Sequence, residues 1–307
     1  MITSIFSKSK PINFVIVAIA ISIVFIIVNY PVVAPEFQAN VILKTFFKYT
    51  LVLFFVFVFD FIISKNFLSK KNSYALMTFG LLFFMFPKSL LFSDIIIANL
   101  FILFSLRRLI SLHSKINIKK KLFDAAFWIG VASLFYFWSI LFFIAVLAAL
   151  IYFYQNDFKN IIIPFVALIT VAILYVVFNI ITTDTFLGNE NYLQPMSFDF
   201  SVYNDLGKVI SLTIFYTLFV WILFYYIRTI SDKPKKLRPS YNLIIVYAII
   251  ALVLAVISDN KSGAEEFFIF VPFALLMANF LEVVSEKWFK EALISLIILA
   301  PIVDLVL

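Results

Sequence analysis

A few charged side chains beside long apolar runs are the residues of this sequence that could do chemistry. Lys88 and Asp94 stand six positions apart in FPKSLLFSDIII, and Glu36 follows the first apolar run, in NYPVVAPEFQAN. The segment SDNKSGAEEFF adds a lysine and two glutamates: Lys261, Glu265 and Glu266. Because an ionisable group in or beside a bilayer is costly, each of these residues is a candidate functional residue.

Ordinary explanations for the same residues stay open. Asp94 is predicted at the start of a helix, where the dipole favours an acidic group by ~0.3–1 kcal/mol. Lys88 could simply extend its ammonium group to the membrane interface. Asp60, in FVFVFDFII, is a lone carboxylate inside an apolar run. The basic stretch around His113, HSKINIKKK, is typical of a segment that attracts anionic lipids.

The composition requires a membrane. The chain has 307 residues, of which 64% are hydrophobic and 13% charged, and its mean hydropathy is +1.10. Soluble domains are about 45–50% apolar and about 25% charged. The sequence is therefore predicted to be a polytopic integral membrane protein. The net charge of +7 is spread over short loops, which argues against nucleic acid as a partner and leaves membrane lipids as the expected one.

The residue inventory also excludes several kinds of site. The chain has no cysteine and one histidine, which excludes thiol catalysis, Cys-ligated metals and a multi-His site within one chain. It contains no GxGxxG, P-loop, GxSxG or HExxH motif, so neither ATP nor NAD binding is indicated. No cofactor is evident.

Apolar runs between charged or turn-rich breaks predict an all-α bundle of about eleven transmembrane helices. A bilayer core takes about 20 helical residues, fewer for short or re-entrant helices. The predicted spans are 12–29, 46–64, 73–87, 94–112, 122–137, 139–155, 161–181, 209–228, 242–258, 267–284 and 291–306. The stretch 122–155 is too long for one span, so we predict a tight reversal near Trp138.

The basic residues set the expected orientation. With the N-terminus in the cytoplasm and the C-terminus outside, nineteen of the 24 basic residues fall in inner loops. The five that fall outside are Lys44, Lys48, Lys88, Lys208 and Lys261. We interpret the N-terminal run as a retained first helix rather than a signal peptide. Residues 1–307 are predicted to form one transmembrane domain, with an outer-face loop at 182–208 and C-terminal helices at 209–307.

The order of these features resembles a known superfamily. An acidic residue follows the first helix, a short third helix leads to a second acidic residue outside, and SDIIIANLFILFSLRRLI returns to the cytoplasm. KLFDAAFWIGVASLFYFWSILFFIAVLAALIYF then makes a small-residue helix and a tight return. Residues 12–180 resemble the N-terminal module of the GT-C superfamily, integral-membrane glycosyltransferases that use polyprenyl-phosphate sugar donors. The segment NKSGAEEFFIFVPFALLMANFLE is similar to a late segment of mannosyltransferase-like members. The whole chain is also similar to a family of uncharacterised bacterial inner-membrane proteins.

The resemblance implies roles for the charged residues. Glu36 would be the catalytic general base, and Asp94 would orient the acceptor or help to hold a divalent cation. Lys88 and Lys261 would contact the lipid phosphate, with Glu265 and Glu266 beside them in the substrate-binding segment. The implied function is glycosyl transfer from a polyprenyl-phosphate sugar donor at the outer face of a bacterial inner membrane.

Other functions stay open at this stage. The first outer loop carries Glu36 alone, where many superfamily members have an aspartate or paired acids, so a catalytically lapsed relative is one alternative. A transporter or lipid flippase is another, with Asp60 as its coupling residue and a binding site at the bilayer midplane. The third is a non-catalytic membrane subunit of a larger assembly, with protein partners of its own.

Overall fold

The described part of the chain consists of helices and the loops between them. A computed structural model describes residues 2–35, 38–155, 157–186, 194–259 and 261–306, with side chains through residue 302. Within these ranges there is no β-strand, which confirms the predicted all-α class.

Twelve α-helices are described. In chain order they are α1 (Ile2–Phe6), α2 (Pro11–Val33), α3 (Ala39–Asn66), α4 (Tyr74–Met85), α5 (Ser93–Ile110), α6 (Ile118–Phe135), α7 (Phe143–Tyr152), α8 (Phe158–Thr183), α9 (Leu206–Thr229), α10 (Arg238–Ile257), α11 (Phe267–Val283) and α12 (Lys287–Val306). Short 3-10 turns lie at Pro87–Leu90, Ser111–Ser114, Phe137–Phe142, Ser201–Tyr203 and Ile230–Asp232.

Six helical stretches in the described ranges are long and apolar enough to cross a membrane. They are Pro11–Val33, Ala39–Asn66, Ser93–Ser114, Phe158–Thr183, Leu206–Asp232 and Arg238–Ile257. Three apolar helices are shorter: Tyr74–Met85, Phe137–Tyr152 and Phe267–Val283. Each of the eleven predicted spans overlaps a helix, but eleven crossings and the N-in orientation stay predictions.

Local sequence explains several helix boundaries. Pro11 opens α2, because a proline at the first helical position gives up an N–H that would have no partner there. Asp157 caps α8, where its side chain accepts a hydrogen bond from the backbone N–H of Lys159 at 3.1 Å. Between α6 and α7, the chain leaves the helix at Tyr136 and continues as the 3-10 turn that contains Trp138.

The chain forms two compact units, each assembled from separate stretches. Unit 1 comprises Met1–Ile96, Asp199–Asp232 and Lys261–Leu307; unit 2 comprises Ile97–Phe198 and Lys233–Asn260. Unit 1 therefore holds α1–α4, α9, α11 and α12, and unit 2 holds most of α5 together with α6–α8 and α10. The single domain expected from the sequence stays a prediction.

An aromatic cluster fills the interior of unit 1. Phe79 of α4 lies at its centre, with its ring 5.5 Å from Phe55 and 4.7 Å from Phe59 of α3. The rings of Phe267 and Phe270 of α11 lie 6.2 and 6.0 Å from that of Phe79. These rings join α3, α4 and α11 into one core.

Small residues bring the helices of unit 2 together. Helix α6 packs along α8, and its buried face carries Ala126, Gly130 and Ala132. A Cβ atom added at Gly130 would lie 3.1 Å from Val171 of α8. Small side chains allow this close approach of two backbones, which is how helices associate well in an apolar solvent.

Candidate functional site

A pocket opens in unit 1 where α4 ends and where α9 and α11 begin. Its apolar wall is formed by Met85, Phe86, Pro87 and Leu212. Its other lining residues are Lys88, Tyr203, Lys208, Ser211, Ser262 and Gly263. The cavity volume is about 80 Å³, where about 10–15 Å³ is enough to admit one water molecule. We call it the two-lysine pocket; it admits a group of the size of a phosphate.

The two lysines reach the pocket from different elements. Lys88 is exposed on the 3-10 turn Pro87–Leu90, and its ammonium group has no hydrogen-bond or ion-pair partner among the described residues. The end of this turn is fastened to α3, because Lys48 donates a hydrogen bond to the Leu91 carbonyl at 3.0 Å. Lys208 lies in the first turn of α9 and forms a loose, half-exposed ion pair with Asp205 at 3.8 Å. Such pairs are worth little, so both ammonium groups are available to an anion.

The hydroxyl groups that line the pocket are occupied within the protein. Ser211 donates to the Ala300 carbonyl at 2.9 Å. The hydroxyls of Tyr203 and Ser262 both donate to the carboxylate of Glu265. The lysines therefore provide the donors that remain for a ligand, which favours recognition by charge.

Glu265 is a buried carboxylate directly behind the pocket, with 1% of its surface exposed. One of its oxygens accepts the hydrogen bond of Tyr203. The other oxygen accepts from the backbone N–H groups of Ser262 at 3.1 Å and Gly263 at 2.9 Å, and from the Ser262 hydroxyl at 3.2 Å. Four donors compensate for the loss of water around this carboxylate. Burial, and then the nearby charge of Glu265, raises the pKa of Tyr203 far above its ordinary value, so the tyrosine keeps its proton and remains a donor.

Glu266 makes a similar pair with Tyr216, a tyrosine inside α9. The Tyr216 hydroxyl donates to the Glu266 carboxyl and lies 2.8 and 2.7 Å from its two oxygens. Burial raises the pKa of Glu266 to about 8, although Tyr216 and the charge of Lys261 act in the opposite direction. Lys261 is itself buried, and its ammonium lies 5.0 Å from the centre of the Phe200 ring. We call Tyr203, Tyr216, Glu265 and Glu266 the glutamate–tyrosine cluster.

The residues singled out in the sequence are only partly brought together. Lys88 lines the two-lysine pocket, and Lys261, Glu265 and Glu266 lie in the segment behind it. Asp94 is exposed in the first turn of α5 and is not among the pocket residues. Glu36 lies outside the described residues.

Sequence reasoning missed several residues of this site. Lys208, Tyr203, Ser211 and Tyr216 were not proposed, although Lys208 was one of the five basic residues predicted outside. The two tyrosines carry no signal of their own, because their partners lie 62 and 50 residues further along the chain.

No metal centre can be assigned within the described ranges. Among those residues no three His, Asp or Glu side chains are grouped so that they could hold an ion. The divalent cation implied for Asp94 stays a prediction. Asp60 is half-buried in α3 and does not line the two-lysine pocket.

The comparisons with known proteins give a family but no activity. A model described as "Family of unknown function (DUF6427)" matches residues 1–304. No protein of curated function and no solved structure matches the chain. What the protein does must therefore be inferred from the site itself.

Proposed function

The chain belongs to the DUF6427 family, and we propose that it is a membrane protein that binds a phosphate-headed lipid in the two-lysine pocket. One observation carries this proposal. The donors left for a ligand are the ammonium groups of Lys88 and Lys208, and they lie beside an apolar wall at the end of apolar helices. An amphiphile with an anionic head matches both surfaces.

The chemistry of the pocket favours a phosphate head. A phosphate monoester carries about −1.5 to −2 charges at pH 7, which two lysines can neutralise as point charges. The apolar wall of Met85, Phe86 and Leu212 suits the first carbons of a hydrocarbon chain. The volume of about 80 Å³ fits the head group and leaves the chain to the surrounding lipid.

We further propose that the chain crosses a bacterial inner membrane eleven times, with its N-terminus inside and the pocket facing outward. This topology puts the end of α4 and the starts of α9 and α11 on one side, in agreement with their meeting at one pocket. It puts the opposite ends together as well. There Glu282, at the end of α11, accepts hydrogen bonds from the backbone N–H of Lys70 at 2.6 Å and the side-chain amide of Asn72 at 2.7 Å.

The proposed reaction is glycosyl transfer from a polyprenyl-phosphate sugar, and its support is the resemblance to the GT-C superfamily. An acceptor hydroxyl would attack the anomeric carbon as the bond from that carbon to the phosphate oxygen breaks. Glu36 would take the hydroxyl proton as general base, and the polyprenyl phosphate would leave with its charge neutralised by Lys88 and Lys208. Asp94 would orient the acceptor.

Binding is tested with the purified protein in detergent and three probes: farnesyl phosphate, farnesol and inorganic phosphate. We expect saturable binding of farnesyl phosphate, weaker binding of inorganic phosphate and none of farnesol. Lys88→Gln and Lys208→Gln should each weaken binding by about tenfold, as expected for a charge-assisted hydrogen bond. Lys44→Gln is the matched control, because Lys44 is exposed, is also predicted outside and does not line the pocket.

Two results would contradict the binding proposal. One is equal binding of farnesol and farnesyl phosphate, since the lysines would then not recognise the phosphate group. The other is a loss with Lys44→Gln as large as with the pocket variants, which would mean a diffuse charge effect.

Transfer is tested separately with a polyprenyl-phosphate sugar and a mixture of glycan acceptors, following the release of polyprenyl phosphate. We expect release by the wild-type protein and its loss in Glu36→Gln, with a smaller loss in Asp94→Asn. Binding of the lipid without release of polyprenyl phosphate would support the proposed lipid site and contradict glycosyl transfer.

A further inference from the structure

We infer that Glu265 is a positioning residue that sets the wall of the two-lysine pocket by holding Tyr203 and the Ser262–Gly263 turn. This inference rests on the proposed lipid-phosphate site and assigns it a residue that does not touch the ligand. The positions of three lining residues then depend on one buried carboxylate.

The hydrogen bonds of Glu265 end on the pocket lining. Three of the lining residues, Tyr203, Ser262 and Gly263, donate to this carboxylate, whereas Glu265 itself is not part of the lining. Tyr203 precedes α9 and the turn precedes α11, so the carboxylate joins two chain segments that form separate parts of the wall. If this link is cut, the two parts of the wall can move independently.

The Ser262–Gly263 turn has a backbone conformation that favours glycine. Gly263 has a φ of +86°, in the left-handed region where glycine has no steric cost. The chain turns at this angle, and one oxygen of Glu265 accepts from the N–H groups of both Ser262 and Gly263. A Cβ atom at Gly263 would meet nothing within 4 Å, so the glycine is required by its backbone angle and not by lack of space.

The chain provides a matched control for this role. Glu266 is buried like Glu265 and accepts a hydrogen bond from the hydroxyl of Tyr216, which lies in α9. Neither Glu266 nor Tyr216 lines the pocket. Tyr203→Phe and Tyr216→Phe therefore each remove one hydroxyl bonded to a buried glutamate, but only the first frees a residue of the wall.

The test measures the dissociation constant of farnesyl phosphate and the melting temperature for wild type, Tyr203→Phe, Tyr216→Phe, Glu265→Gln and the double variant Tyr203→Phe/Glu265→Gln. We expect Tyr203→Phe to bind about tenfold more weakly, the size of one strong hydrogen bond. Tyr216→Phe should bind within twofold of wild type, although both variants lose similar thermal stability.

A double-mutant cycle separates positioning from simple loss of stability. Glu265→Gln also removes a negative charge near an anion site, and this contribution cancels in the cycle. If Glu265 acts through Tyr203, its substitution should change affinity at least fivefold less in the Tyr203→Phe background than in wild type. If Glu265→Gln does not fold, Gly263→Ala serves instead. It strains the backbone of the same turn and should also weaken binding of farnesyl phosphate.

The outcomes distinguish this inference from the function on which it rests. Equal affinities of Tyr203→Phe and Tyr216→Phe, or strictly additive effects in the cycle, would overturn the positioning role and leave the lipid site standing. A wild-type protein that does not bind farnesyl phosphate would overturn both.

Discussion

The two units of this chain differ in the polar side chains that they bury. In the described residues, every buried charged side chain belongs to unit 1: Lys261, Glu265 and Glu266. The buried polar residues of unit 2 are all neutral: Asn99, Ser105, Ser133, Ser139, Asn160, Asn179, Ser240 and Ser258. Unit 1 thus buries ionisable side chains, and the described residues of unit 2 bury none.

The interiors differ in packing as well. Unit 1 fills its core with large rings around Phe79, while unit 2 brings α6 and α8 together through small residues such as Gly130. Small-residue contacts stabilise helix pairs at no polar cost. Buried charges are expensive, so an arrangement that retains them indicates a function. The proposed lipid-phosphate site belongs to unit 1, the unit that holds the buried ionisable side chains.

The largest expected effect is a pH dependence of stability that originates in unit 1. The ordinary pKa of 4.5 for Glu266 rises to about 8 by burial, with Tyr216, Glu265 and Lys261 around it. Between these values the folded state keeps a proton that the unfolded state loses, so the free energy of unfolding falls as the pH rises from about 4.5 to about 8. At 1.36 kcal/mol per unit, the full change is about 5 kcal/mol.

Titration with a denaturing detergent at a series of pH values measures this effect. Glu266→Gln keeps the size of the side chain without its ionisation, so its stability should vary much less over the same interval. An unchanged pH profile in Glu266→Gln would mean that another group controls the stability, and the contrast between the units would lose its energetic basis.

A smaller effect tests the aromatic core of unit 1. Phe79→Ala should lower the free energy of unfolding by about 3 kcal/mol, the low end for a buried phenylalanine, because the solvent around the helices is itself apolar. Phe84→Ala is the control on the same helix, since that side chain is 37% exposed and should cost under about 1 kcal/mol. Similar losses for the two variants would show that the ring cluster adds nothing beyond ordinary lipid contact.

Much of the fold could be predicted because the bilayer dictates it. Long apolar runs must satisfy their backbone hydrogen bonds internally, so helices follow from hydropathy alone. The short helix α1 could not be found this way. It is held by Glu291, which accepts hydrogen bonds from the backbone N–H of Thr3 at 2.9 Å and its hydroxyl at 2.6 Å, from 288 residues away. The local sequence around α1 cannot predict such a distant contact.

The sequence predicts only those residues of the candidate site that are charged and lie beside long apolar runs. Lys88, Lys261, Glu265 and Glu266 can be singled out in the sequence for that reason. Tyr203 and Tyr216 were not, because a tyrosine near a membrane interface is ordinary and its partner is set by tertiary structure. The division into two units was equally hidden, since unit 1 is assembled from three separated stretches of chain.

The smallest of these effects concerns the helix crossing of unit 2. Gly130→Leu places a side chain where α6 meets Val171 and Leu168 of α8, whose nearest atoms lie 3.1 and 3.3 Å from an added Cβ. We expect the free energy of unfolding to fall by about 2 kcal/mol through overpacking. Gly130→Ala should stay within about 1 kcal/mol of wild type, because the gain in helix propensity offsets a shift of a few tenths of an ångström. Since unit 2 holds no buried charge in the described ranges, Gly130→Leu should leave the affinity for farnesyl phosphate unchanged wherever the protein remains folded. A loss of affinity as large as that of Lys88→Gln would show that the function does not reside in unit 1 alone.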